Sequence, residues 1–310
     1  MKFDWTKLRG FNYQPSYAGT LQYLWTNYDH DVWAREVPWA LRFGANTLRV
    51  WLDWSAYLAI GDKMLDAIED ALQILDRHSL QMIPVLFNRW VDPRYPGGGI
   101  SDNDLRVSDW GLAKFDSYVN ALAYRFREDQ RILLWDVCNE PLGAPFWNAA
   151  DISFKEHVWL ANVADQLRHQ TGIPVTIGSM TYDYVLQTAS LCDVISFHPY
   201  TVQIGEIEKV CLDHLEIARR FDKPLICTET CKGSFDDYER GALARENIEM
   251  LEKYGIGWIA WHLCESKFVT GTKERTDSNS IHPDQGYMPF VLSDGTTRPG
   301  HEWFEQRKKE

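Results

Sequence analysis

No apolar run in this 310-residue chain approaches the roughly 18 residues that a membrane-spanning helix needs. The start, Met1-Lys2-Phe3-Asp4-Trp5, lacks the basic stretch and continuous apolar core of a secretory leader. A cytoplasmic location is therefore the expectation, unless a leader has been removed. Positive charge is scarce: 32 Lys and Arg stand against 44 Asp and Glu, a net of -12. That balance argues against nucleic acid or an anionic membrane as partner, and its simplest use is solubility. The six cysteines, at 138, 192, 211, 227, 231 and 264, show no paired CxxC spacing with histidines. Neither zinc nor another cofactor is expected. Most of them lie in or beside apolar runs, where a reduced cysteine acts as a small hydrophobe. No Lys-Ser/Thr comes after the run Gly97-Gly98-Gly99, so it reads as a flexible lid or turn and not as a phosphate cradle. Internal repeats, low-complexity tracts and linkers are missing too, and the expectation is a single domain over 1–310.

Aromatic residues are plentiful, with 14 each of Trp, Tyr and Phe. Tryptophan offers a broad apolar face and one donor, which suits sugar rings, although most of the fourteen belong in a core. Strand-like and helix-like segments alternate from end to end. Strands are expected at 8–14, 47–53, 82–88, 132–139, 173–179, 194–198, 224–228 and 256–262. Helices are expected between them, including 31–43 (broken or kinked at Pro38), 62–75, 110–127, 152–170, 182–189, 206–220 and 236–254, with a closing helix from Pro299 onward. Alternating β and α units imply a parallel sheet. Eight of them in a chain near the usual length of about 250 residues imply an α/β fold closed as a (β/α)8 TIM barrel. A long loop, about 264–294, comes after the eighth strand. The rival doubly wound sheet should carry a glycine-rich turn after its first strand. Here that strand ends in Asn12-Tyr13-Gln14-Pro15.

Two of the expected strands end in a glutamate: Leu133-Leu134-Trp135-Asp136-Val137-Cys138-Asn139-Glu140 and Pro224-Leu225-Ile226-Cys227-Thr228-Glu229. A buried carboxylate is costly unless it is paired or used. One such glutamate is ordinarily a structural ion-pair partner. Two at the C-terminal ends of barrel strands, where barrel enzymes keep their chemistry, suggest a facing pair. Strict alternation of side chains sends Arg49, Trp51 and Asp53 inward or upward from the second strand. The same alternation groups Asp136, Cys138 and Glu140, then Ser196, His198 and Tyr200, then Leu225, Cys227 and Glu229. It also places Cys138 and Cys227 one layer below the two carboxylates. Cleavage of a glycosidic bond needs one carboxyl group that donates a proton and one carboxylate at the anomeric carbon.

Asn139-Glu140-Pro141 resembles the Asn-Glu-Pro signature of clan A glycoside hydrolases, and family 5, the cellulase and mannanase group, is the nearest likeness. The likeness extends over nearly the whole barrel: Arg9-Gly10-Phe11-Asn12, Gly44-Ala45-Asn46-Thr47-Leu48-Arg49, His198-Pro199-Tyr200, Glu229, Trp261 and the tail Asp294-Gly295-Thr296-Thr297-Arg298-Pro299. The resemblance implies a retaining β-glycoside hydrolase acting on an oligosaccharide or polysaccharide. It implies Glu140 as acid/base and Glu229 as nucleophile. It further implies Asn139 on the sugar 2-hydroxyl, Arg49 holding Glu229, His198 and Tyr200 framing the site, and Trp261 as the floor under the −1 sugar. Asp53, Trp54, Asn88, Trp90, Trp147 and Gln285 are further candidate sugar contacts. The chain departs from the pattern with Asn88-Arg89-Trp90 where many members carry a histidine, and in the long loop after the eighth strand. A loop of that size suits closure of one end of the cleft and exo action. Two other classes are conceivable: a carbohydrate-binding barrel without catalysis, and a different barrel enzyme such as a metal-dependent isomerase or an aldolase. The intact glutamate pair opposes the first. No lysine at a strand end and no evident metal-ligand cluster support the second.

Overall fold

A computed structural model describes residues 3–89, 112–142, 150–201, 203–267 and 286–306. Eight parallel strands close into a barrel in chain order. They are β1 Arg9–Tyr13, β2 Thr47–Trp51, β3 Gln81–Asn88, β4 Trp135–Asn139, β5 Val175–Ser179, β6 Ile195–Phe197, β7 Leu225–Cys227 and β8 Gly257–Ala260. The ring closes where Arg9, Gly10 and Phe11 pair with Trp258, Ile259 and Ala260. The described helices are α1 Leu21–Thr26, α2 His30–Glu36, α3 Trp54–Ile60, α4 Asp62–Arg77, α5 Leu112–Arg125, α6 Ala150–Thr171, α7 Tyr182–Thr188, α8 Ile207–Phe221, α9 Asp237–Lys253 and α10 Trp303–Gln306. None of them is long and apolar enough to cross a membrane.

Local chemistry explains the boundaries. The helix expected through 31–43 breaks at Pro38: α2 ends at Glu36 and gives way to a 3-10 segment, Val37–Phe43. Proline has no N–H to continue the helical ladder. Gly44 then turns the chain with φ +70 and delivers it into β2. In α4, Met64, Leu65, Ile68, Leu72 and Leu75 are buried, recurring three and four residues apart, which lays one apolar stripe against the sheet. Asp236 caps α9 by accepting from the Tyr238 and Glu239 amides. Gly255 at φ +67 stands just past that helix, as its sequence position predicts.

Two cores lie on either side of the sheet. The larger fills the layer between strands and helices. Inside the barrel, Leu8, Ile83, Leu134, Val194, Ile226 and Ile259 form an apolar plug. Near the C-terminal ends of the strands, Trp51, Val85, Trp261 and Met288 form a second apolar group, with Tyr200 packed against it. Polar side chains occupy the space between these two interior layers. All six cysteines are buried and unpaired.

Strict alternation fails at two strands that matter. On β4 the register shifts between Asp136 and Asn139. A bulge adds one residue and re-aims the side chains beyond it. Asp136 and Asn139 therefore both face the barrel interior, and Cys138 joins the core under the helices. On β7, Ile226 and Thr228 face inward, and Cys227 packs outward into that same core. Glu229 comes two residues after the last strand residue and reaches the interior from the strand end. The expected thiol layer below the carboxylates is thus corrected: both thiols lie behind the sheet.

Candidate active site

The interior polar layer is built around Arg49 of β2. Its Nη1 donates to Glu229 Oε1 at 2.5 Å and to Asn12 Oδ1 at 2.7 Å. Its Nε donates to Asp136 Oδ2 at 2.9 Å, and its Nη2 to Asn139 Oδ1 at 2.8 Å. Four strands are thereby tied to one planar guanidinium, whose rigid fork of donors suits such a task. Burial opposes its charge, but the facing Asp136 and Glu229 carboxylates raise its pKa above the ordinary value. Asn12 is itself fixed, with Nδ2 donating to the Thr228 carbonyl at 2.9 Å.

Gly178 of β5 makes room for this packing. A Cβ there would stand 2.9 Å from His198 Nε2, 3.0 Å from Arg49 Nη2 and 3.1 Å from Asp136 Oδ2. Its amide also donates to Asp136 Oδ1 at 3.1 Å. Its carbonyl accepts from the Glu140 amide at 2.7 Å, which locks the chain just past β4. Glu140 adopts φ +48 there, a left-handed conformation that side-chain-bearing residues rarely take and that gathers at functional sites.

The two glutamates are equally buried, each 4% exposed, but their partners differ. Glu229 accepts from Arg49 on Oε1 and from the Tyr200 hydroxyl on Oε2, at 2.7 Å. Glu140 Oε1 lies 2.7 Å from His198 Nδ1. Burial lowers the His198 pKa to about 4, so this imidazole is neutral near pH 7. Its Nε2 lies 2.9 Å from Thr228 Oγ1, which in turn bonds Ser196 Oγ. Burial pushes the Glu140 pKa up to about 8, with Arg49 pulling against it. Burial also raises Glu229, opposed by His198, Arg49 and the Tyr200 hydroxyl. Burial and the neighbouring Glu229 charge keep the Tyr200 phenol protonated, so it remains a donor. One oxygen of each glutamate and one His198 nitrogen lie within 4.8 Å of one another. Three such atoms have the spacing of a metal-ligand set. Both Glu229 oxygens are already engaged, however, and a cation would sit beside the fixed Arg49 charge, which disfavours a metal.

With this geometry in place, the comparisons with known proteins are decisive on one point. Residues 40–267 match the model of the cellulase family, glycosyl hydrolase family 5. The chain belongs to glycosyl hydrolase family 5. By family, therefore, it is a glycoside hydrolase. Among curated proteins none matches the sequence. Solved structures share the fold at low identity. An exo-β-1,4-mannosidase from Opitutaceae bacterium strain TAV5 has a TM-score of 0.76 at 17% identity over 97% of this chain. The match covers 59% of that longer mannosidase. A family 5 protein from Streptomyces cattleya, solved with Manβ1-4GlcNAc, has a TM-score of 0.75 at 14% identity, covering 97% of this chain and 80% of that one. An endo-1,4-β-D-mannanase from Thermotoga petrophila has a TM-score of 0.66 at 16% identity, covering 97% and 99%.

Among the sequence-predicted residues of this family 5 chain, Arg49, Asn139, Glu140, His198, Tyr200 and Glu229 form one cluster. Trp261 lies beside it, its ring 5.4 Å from Trp51 and its Nε1 donating to Met288 Sδ at 3.1 Å. Asn88 lies at its edge, accepting from Asn139 Nδ2 at 3.3 Å. Asp53 is placed differently from its expected sugar-contact position. It caps α3, accepting from the Ala56 amide at 2.8 Å and from the Ser55 hydroxyl. Burial raises its pKa to about 6. Trp54 packs edge-on against Phe115 of α5. Trp90, Trp147, Gln285 and the Gly97–Gly99 run lie outside the described residues, as does most of the loop after β8. Sequence reasoning grouped Asp136 and Ser196 with the candidate site residues and quoted Asn12 in the family likeness, but gave none of the three a role, and it missed Thr228 altogether. A signal was available: each is a polar residue inside or at the end of an apolar strand, where an unpaired polar group is costly.

Proposed function

We propose that the chain is a retaining β-glycosidase that works by double displacement, with exo action on a short β-linked oligosaccharide. The observation that carries this reading is the unequal surroundings of two carboxyl groups within 4.8 Å of each other. That spacing suits a retaining pair, whose carboxyl groups stand about 5–5.5 Å apart, without room for a water between acid and base. Glu229, held by a guanidinium and a phenol, keeps its charge and attacks the anomeric carbon. Glu140, buried against a neutral imidazole, holds its proton at neutral pH and gives it to the departing glycosidic oxygen. The ionised Glu140 then takes a proton from water, which attacks the glycosyl-enzyme ester and releases Glu229.

Arg49 fixes the attacking carboxylate and withdraws charge from it as the ester forms. Asn139, held through its Oδ1 by Arg49, presents its amide to the 2-hydroxyl of the −1 sugar. Trp261 lies under that ring. Exo action rests on the long segment between β8 and α10, a length suited to blocking one end of the cleft. Several structurally similar proteins are named for β-1,4-mannosides, which puts manno-configured β-1,4 oligosaccharides first in a screen, beside gluco-configured ones.

The test is azide rescue with activated aryl glycosides. Glu229→Gly with azide should give the α-glycosyl azide, and Glu140→Gly with azide the β-glycosyl azide. The opposite pairing would exchange the two roles. A wild-type chain that binds sugars but cleaves no β-glycoside would instead favour a carbohydrate-binding barrel.

A further inference from the structure

Gln14 is an anomaly. It is 1% exposed, and neither Nε2 nor Oε1 has a hydrogen-bond partner among the described residues. Leaving a buried amide wholly unpaired is costly, because neither its donor nor its acceptor regains the bonds it made with water. Native chains seldom keep such a group unless a water or a ligand completes it.

Its place in the fold narrows the choice. Gln14 stands just after the last residue of β1, at the catalytic end of the barrel. Pro15 comes next, and a residue before proline is held in an extended conformation. The alternation of β1 therefore carries through position 14. Phe11 and Tyr13 face the helices, against Phe43 and Trp33. Asn12 faces the interior, bonded to Arg49. Alternation continued one step past β1 assigns Gln14 to the side of Asn12, one layer nearer the mouth. The β1–β2 register pairs Tyr13 with Val50, and one further step sets Gln14 level with Trp51. Trp51 belongs to the apolar group with Trp261 and Met288. Burial does not remove Gln14 from reach of a substrate, because Arg49, Asn139, Glu140 and Glu229 are buried to a similar degree.

We infer that Gln14 is a specificity-determining residue that reads two neighbouring hydroxyls of the sugar seated over Trp51 and Trp261. A primary amide donates through Nε2 and accepts through Oε1. Adjacent hydroxyls on a pyranose can accept one bond and donate the other, which completes both idle atoms at once. The sugar thus supplies what the free protein leaves unpaired, and a sugar lacking either hydroxyl strands the amide again. This inference rests on the glycosidase reading above.

The experiment compares wild type, Gln14→Leu and Gln14→Glu on the best oligosaccharide from the screen and on its monodeoxy analogues. Thermal melting without sugar is measured in parallel. Gln14→Leu should lower kcat/KM about 10- to 100-fold on the parent sugar and leave the unliganded Tm unchanged or higher, since it removes a stranded amide. In wild type, one or two deoxy analogues should lose a comparable factor. In Gln14→Leu that discrimination should vanish. Unchanged kcat/KM in both variants would overturn the inference and leave the glycosidase reading standing. A lowered Tm with undiminished deoxy-sugar discrimination would also overturn it, by making Gln14 a structural group bound to water. A wild-type chain that cleaves no glycoside would overturn both readings together.

Discussion

Glu140 and Glu229 have different hydrogen-bond partners, and the roles proposed for them rest on that difference. A permanent cation and a phenol flank Glu229, whereas a neutral imidazole flanks Glu140. Replacing Glu140 by Ala should lower turnover of an oligosaccharide about 10²–10⁴-fold. The loss should be smaller on aryl glycosides whose leaving group needs no proton, and a comparison of the two substrates by steady-state kinetics checks this. The pH profile carries the same assignment. With a pKa near 8, Glu140 loses its proton on the alkaline side, so kcat/KM should fall as pH rises through about 8. The same group affects stability. The folded chain holds this proton to about 8 and the unfolded chain to about 4.5. Between those values the unfolded state binds fewer protons. This group's contribution is therefore full below 4.5 and is lost as pH rises towards 8, with a slope approaching about 1.4 kcal/mol per pH unit. Denaturant unfolding of Glu140→Gln across that window should show a correspondingly weaker decline than wild type.

At the scale of elements, the strand ends hold the site because neighbouring backbone is pinned by buried side chains. Arg240 of α9 donates from Nη2 to the Trp261 carbonyl at 2.9 Å and to the Met288 carbonyl. It thereby ties the end of β8 to the 286–291 segment. Arg240→Met should leave the Trp261 carbonyl without this donor and the Met288 carbonyl with the His262 amide alone, at 3.2 Å, lower the Tm, and raise KM more than it lowers kcat by loosening Trp261. Calorimetry and steady-state kinetics on one preparation test this. Gly178→Ala should push a Cβ into His198, Arg49 and Asp136, costing about 1–3 kcal/mol and disordering the supports of Glu140 and Glu229 together. These elements also mark what a sequence can and cannot tell. The eight strands were legible because apolar runs bounded by turns recur at the required spacing, and α4 because its stripe is regular. The inward set was only half legible. Alternation correctly grouped Ser196, His198 and Tyr200, since β6 leads into them without interruption. It failed on β4, where the bulge between Asp136 and Asn139 is a property of strand pairing and leaves no mark in local composition. The short helices α1 and α3 were passed over, although Thr20 and Asp53 are ordinary N-cap residues that accept from the amides of Tyr23 and Ala56.

At the scale of the whole molecule, the barrel converts long-range order into short-range chemistry. Asn12, Arg49, Asn139 and Glu229 come from four strands and meet on one guanidinium. No local motif encodes that meeting, which is why the sequence offered Glu140, Glu229, Arg49 and Asn139 as candidates through a family likeness but not the bonds from Arg49 to Asn12 and Asp136. Because both Glu229 oxygens already accept from Arg49 and Tyr200, and the Arg49 charge stands beside them, exhaustive dialysis against a chelator should leave kcat/KM unchanged, and reactivation by an added divalent cation should not occur. The most direct test of the account is the configuration of the first-formed product, monitored by proton NMR during hydrolysis of a β-glycoside, before mutarotation. A facing pair that works through a glycosyl-enzyme ester predicts the β-anomer first, with the α-anomer growing in only as the sugar equilibrates. Initial appearance of the α-anomer would mean single displacement by water, and would contradict the roles given to Glu140 and Glu229.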